Sequence, residues 1–155
     1  MAGQIEARLA ELGFELPRVT PPLAAYVPAL RTHDLVFVSG QLPMVDGTLL
    51  ATGTVGVEVS ADDAKQFAQR CALNALAALK TVIADLDEVE QVVKVIGFVA
   101  CGPEFTAHPS VINGASEFLG AVFGDAGRHA RSAVGVASLP LGAPVEVEFT
   151  FRIRA

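Results

Sequence analysis

Tryptophan is absent from this chain of 155 residues, tyrosine occurs once, and aromatic residues make up only 6%. Aromatic platforms with basic flanks, on which nucleic-acid bases stack, are therefore missing. Charged residues are scarce at 18%, and 11 lysines and arginines face 17 acids, for a formal net charge of -6. That balance repels phosphate backbones and anionic membranes, so neither nucleic acid nor membrane is expected as a partner. The two cysteines, Cys71 and Cys101, form no CxxC or Cys/His ligand pattern, and His33, His108 and His129 share no ligand spacing. No metal site is expected, and the two thiols read as buried hydrophobes of a reducing compartment. No stretch reaches the roughly 18 uninterrupted apolar residues that span a bilayer, and the N-terminus lacks the basic segment and apolar run of a signal peptide. A soluble, cytoplasmic protein is the expectation.

What the chain has in plenty is apolar surface. Hydrophobic residues make up 52% of it, in a length that suits one domain able to fold without disulfides or metal. So little polar surface points to apolar area hidden against copies of the same chain. Residues 3 to 13 place Ile5, Leu9 and Leu12 on one helical face, with Gly13 as the stop. A proline-rich connection, Phe14 to Pro22, leads to an expected strand from Ala24 to Arg31 that carries Tyr26. Leu35 to Val38 reads as a buried strand running into Ser39-Gly40-Gln41-Leu42-Pro43, and Asp46-Gly47 marks a tight turn. Ser60 and Asp63 resemble a capping box before the longest helical pattern, whose stripe is Ala64, Ala68, Cys71, Ala75, Leu79 and Val82. Val89 to Val99 reads as a central strand. Pro109 suits the first position of a further helix with Val111, Ile112, Ala115, Phe118, Leu119 and Val122 as its apolar face, ended by Gly124 and Gly127. Both long helices are one-sided, so they most simply cover one face of a mixed sheet in an α+β fold, leaving the other face to self-association.

Arg131 to Glu146 holds the residues most suited to chemistry. Arg131 opens an apolar run, Ser132 to Ala137, expected to be a buried strand, and Pro140, Gly142 and Pro144 punctuate the turn after it. From Val145 to Arg154 apolar and polar residues alternate with period two, the pattern of a half-buried strand. Two neighbouring antiparallel strands of this kind would bring Arg131 and Glu146 close together. An arginine can grip a carboxylate through two hydrogen bonds, and a glutamate can move a proton. By pattern alone Glu148 is as eligible as Glu146, and an arginine such as Arg131 is more often a strand-end ion-pair partner than a ligand clamp.

Tyr26, Ser39-Gly40-Gln41-Leu42-Pro43, Asn113, Ala130-Arg131-Ser132, Leu139-Pro140 and Val145-Glu146-Val147-Glu148, in this order over nearly the whole chain, resemble the RidA/YjgF family of reactive-intermediate deaminases, also described as L-PSP endoribonucleases. The resemblance implies a single domain over residues 1–155 with a chorismate-mutase-like α+β fold and a helical addition at about 3–13. It implies a homotrimer whose sheets form a central barrel, with sites in clefts between subunits. The implied activity is hydrolysis of 2-enamino and 2-imino acids to 2-keto acids and ammonia, without a metal or organic cofactor. Residue by residue, Arg131 falls on the carboxylate-binding arginine and Glu146 on the water-activating glutamate, while Tyr26, Ser39, Gly40 and Asn113 match positions lining the cleft. Ala133 stands where many relatives carry cysteine, so no thiol nucleophile is available there. Gly135 replaces a residue that is usually larger. Two other functions stay open beside the deaminase. One is noncatalytic binding of a small carboxylated metabolite in the same cleft; the other, which the acidic charge opposes, is cleavage of RNA or inhibition of translation.

Overall fold

A computed structural model of the chain describes residues 3–19, 21–22 and 24–155. Its sheet is built around the alternation seen at the C-terminal end. In β7 (Val145–Ile153) the odd positions are buried, from Val145 through Phe149 and Phe151 to Ile153, and the even ones lie on the opposite face. Phe149 and Phe151 are at most 2% exposed, and burying each such side chain is worth about 1.5–3 kcal/mol. On one side β7 pairs antiparallel with β2 (Leu35–Gln41), which pairs with β1 (Ala29–Thr32). On its other side lies β5 (Val89–Ala100), also antiparallel, and β5 pairs parallel with β6 (Ala130–Val136). The order is β1-β2-β7-β5-β6, a mixed sheet. A short hairpin of β3 (Met44–Val45) and β4 (Thr48–Leu49) stands apart, turning through Asp46 and Gly47, both at positive φ.

Two helices cover one sheet face. α2 (Ala61–Leu79) begins where Ser60 Oγ accepts from the Asp63 backbone N–H at 3.1 Å. Its buried Ala64, Ala68, Ala72, Ala75 and Ala78 let it approach its neighbours closely. α3 (His108–Phe123) crosses beside it, so tightly at Gly114 that a Cβ there would lie 1.8 Å from the Lys65 carbonyl oxygen. Asn74 donates from Nδ2 to the Leu42 and Met44 carbonyls, pinning the chain after β2 to α2. The N-terminal α1 (Gln4–Glu11) buries Leu9, and its first two N–H groups donate to the Asp87 carboxylate. Those bonds, Ile5 first and then Gln4, hold the Asp87 carboxyl below its ordinary value. Among the described residues no helix is long and apolar enough to cross a membrane.

The element order and the one-sided helices match the sequence reading; several details differ. β1 begins only at Ala29, and Tyr26 lies in a bend before it, because Pro28 has no N–H to give to a ladder. α2 ends at Leu79, short of Val82. The run after Arg131 is not a buried strand. β6 is paired on one side only, so its residues alternate between exposed and partly buried. Cys71 is buried as expected, whereas Cys101 is only partly so.

Gly114→Ala places a methyl group against backbone that cannot rotate away, and overpacking of this kind should cost ~3 kcal/mol. Urea denaturation of the two proteins measures it, and an unchanged midpoint contradicts the tight α2–α3 crossing.

Candidate active site

The residues singled out in the sequence fall into two groups on opposite faces of the sheet. Arg131 is paired with Val95, which is paired with Phe149, both buried under the helices. Its guanidinium therefore lies on the helix side, at the sheet edge. Nη1 donates to Asn113 Oδ1 at 2.8 Å and to Ser116 Oγ at 3.1 Å, and Nη2 donates to the Pro109 carbonyl at 3.3 Å. His129 sits behind Ser116, with Nε2 2.8 Å from Ser116 Oγ and Nδ1 2.6 Å from the Gly127 carbonyl. A carbonyl only accepts, so this network assigns the proton to Nδ1. Nε2 then accepts from the Ser116 hydroxyl, which leaves the serine lone pairs for Arg131. Among the described residues no carboxylate lies within 4.0 Å of the guanidinium.

Glu146 is paired with Phe98, which is paired with Val134, on the face the helices leave uncovered. Here Gly40 lies against it: a Cβ at position 40 would be 2.4 Å from Glu146 Oε1. The pairing of β2 with β7 slips between Val38 and Gln41, a bulge that carries Ser39 and Gly40 to this place. Ser39 Oγ donates to the Val27 carbonyl at 2.7 Å, tying the stretch with Tyr26 to β2. Tyr26 and Gly40 line one hollow together with Pro28, while Tyr26, Ser39 and Glu148 line the next along the sheet face. Burial, and then repulsion from Glu148, push the Glu146 carboxyl above its ordinary value.

Thus Tyr26, Ser39, Gly40 and Glu146 come together, and so do Asn113 and Arg131. Ala133 follows Arg131 on the helix-side face of β6, packed against the core. The expectation that Arg131 and Glu146 stand on neighbouring antiparallel strands is not met within one chain. β5 separates β6 from β7, and the two side chains leave opposite faces. Two strand spacings alone put them roughly 10 Å apart. Sequence reasoning missed Ser116 and its link to His129. Helical spacing could have found the serine, since Pro109, Asn113 and Ser116 succeed one another at i+4 and i+3 along one face of α3. No group of three or more His, Cys, Asp or Glu suited to a metal ion occurs among the described residues.

The family described as "YjgF/chorismate_mutase-like, putative endoribonuclease" matches residues 6–151. Protein TCP17 of Trypanosoma cruzi is 41% identical over 148 residues, which is 95% of this chain and 92% of that protein. The solved structure of Atu1372 from Agrobacterium tumefaciens, a protein of unknown function, is 47% identical with a TM-score of 0.90, covering 97% of this chain and 92% of that one. A structure from Shewanella oneidensis named as a "putative endoribonuclease" is 30% identical with a TM-score of 0.93, covering 97% of this chain and all of the other.

A carboxyl whose folded-state pKa is raised stabilises the fold at low pH and loses that contribution as pH rises through its folded value. Glu146→Gln, with no charge to desolvate, should therefore melt no lower than the parent at pH 8 and lose that advantage as pH falls toward 4. Thermal melts across that range test it, and a variant markedly less stable at pH 8 would show that the ionised carboxylate is a structural partner.

Proposed function

The chain belongs to the YjgF/chorismate mutase-like family, and on that premise we propose that it hydrolyses 2-enamino and 2-imino acids to 2-keto acids and ammonia in clefts between copies of itself. The observation that carries this reading is Arg131. Three neutral oxygens hold its guanidinium in place while none of them cancels its charge. Such a group is ready to take an anion, and its fork suits a carboxylate.

The second half of the site is the Glu146 group, and a partner copy is the economical way to bring it opposite Arg131. The free sheet face exposes Leu30, Val27, Phe37 and Val134, at 60%, 54%, 45% and 43%. Burying such a face in a homotrimer with the sheets turned inward covers the apolar side chains and sets the β6 edge of one copy beside the Glu146 face of the next.

In that cleft Arg131 holds the substrate carboxylate and so fixes the C=N carbon. An enamine first takes a proton at its β-carbon to become the imine. Glu146, ionised, accepts a proton from water as the oxygen bonds to the carbon of the protonated imine, giving a carbinolamine. It then returns that proton to nitrogen, the C–N bond breaks and ammonia leaves, and the hydroxyl proton passes to Glu146 as the keto C=O bond forms. A carboxyl pushed up by burial suits both duties, since its affinity for the proton lies nearer neutrality. Gly40 leaves room at the carboxylate, and Ala133 gives the cleft a small, unreactive wall. The endoribonuclease of the family description is the competing reading; the net charge of -6 speaks against an RNA substrate.

The test generates an imine in situ with an amino-acid oxidase and follows its decay above the spontaneous rate. Arg131→Ala and Glu146→Gln should each lose at least ~10²-fold. When the two inactive chains are refolded together, a cleft built from Arg131 of one and Glu146 of the other is intact. Random assembly should then recover about a quarter of the parental rate. No recovery would place both groups' work within one copy. Saturable keto-acid binding with no turnover by the parent would make the cleft a sensor, and RNA cleavage that persists in Glu146→Gln would revive the nuclease.

A further inference from the structure

At the far end of β6, on the same face as Arg131 and four residues along, Gly135 stands before a second pair of reactive side chains. Cys101 Sγ lies 3.3 Å from His108 Nε2. A Cβ at position 135 would be 2.5 Å from that nitrogen and 2.8 Å from the sulfur, so the space at the pair exists because the residue is glycine. The pair opens into a surface pocket of about 330 Å³, walled by Pro103, Phe105, Val136 and Ala137. Both groups are held. The Cys101 N–H donates to the Val136 carbonyl at 3.1 Å, and the Phe105 ring meets the His108 ring edge-on at 5.9 Å. His108 is also the first residue of α3.

We propose that Cys101 and His108 form a second reactive centre, separate from Arg131 and Glu146, at which the thiol adds to a small, uncharged α,β-unsaturated aldehyde or ketone. The walls are apolar, and one carries an aromatic ring against which a flat conjugated molecule can lie. Glu104 stands beside the thiol, and with the net charge of -6 it turns anions away. Burial first, and then Glu104, push the Cys101 thiol up, so it rests protonated and needs a base to react. His108 is within reach to be that base. In the reaction the Cys101 S–H proton passes to His108 Nε2 as the S–C bond forms at the β-carbon of the ligand. The π electrons move to the carbonyl oxygen as an enolate, the α-carbon takes the proton back from His108, and a thioether remains. No oxidant or further reactant enters.

Methyl vinyl ketone is the probe, with N-acetylcysteine as the reference thiol and peptide mass mapping to locate the adduct. An unassisted thiol with a raised pKa reacts more slowly than the reference at pH 7.5. The proposal requires Cys101 to react at least as fast as the reference, and the fully buried Cys71 to stay unmodified. His108→Gln should slow Cys101 by at least ~10² if the imidazole is its base. Gly135→Ala, which wedges a methyl between the groups without removing either, should slow it at least ~10-fold. A Cys101 slower than N-acetylcysteine, or one indifferent to His108→Gln in a variant whose circular dichroism matches the parent, overturns the proposal. Imine hydrolysis uses neither group, so either reading can fail alone.

Discussion

The placement of Arg131 and Glu146 is governed by the strict alternation of β7 beneath two helices that cover one face only. With Val145, Val147, Phe149, Phe151 and Ile153 committed to the helices, Glu146 and Glu148 are delivered to the other side. A one-residue slip would reverse every assignment, and the helix-side residues are too large and too apolar to tolerate it. Arg131, two strands away and paired through Val95 to Phe149, is bound by the same register to the helix side. One chain therefore presents Arg131 and Glu146 on two separate surfaces. In the reading proposed above, chemistry and association become one problem, since covering the apolar face also joins the halves.

The guanidinium half shows how a strong charge is readied without being spent. An ion pair with a carboxylate would hold Arg131 firmly and also neutralise it. Here Asn113, Ser116 and the Pro109 carbonyl do the holding, all on α3, and His129 fixes the direction of the serine hydroxyl from behind. Neutral acceptors satisfy the donors while the net charge persists. The glutamate half works by the opposite means, since partial burial and a like-charged neighbour make its proton harder to lose.

Local features were the legible ones. The Ser60 cap, the Asp46-Gly47 turn, the alanine stripe of α2 and the period-two pattern of β7 are each decided within a few residues of chain, and each is present. What escaped is decided by distant partners. That β5 lies between β6 and β7 cannot be read from their own residues, and so the sequence pattern placed Arg131 and Glu146 side by side. β6 has the composition of a buried strand but lies at the sheet edge, and composition does not encode position within a sheet. Tyr26 was placed on a strand because its apolar neighbours suggested one, while Pro28 delays the ladder to Ala29. His129 shows no ligand spacing in the sequence, and its partner emerges only where α3 puts Ser116 beside it.

Gly40 bounds how such a scaffold can diversify. A side chain there would meet the end of the Glu146 side chain, which would have to turn aside. In the proposed cleft, a larger residue at position 40 would therefore be felt first by the acid that activates water. In that reading, changes of specificity fall more freely around Tyr26 or near Ala133 than at position 40.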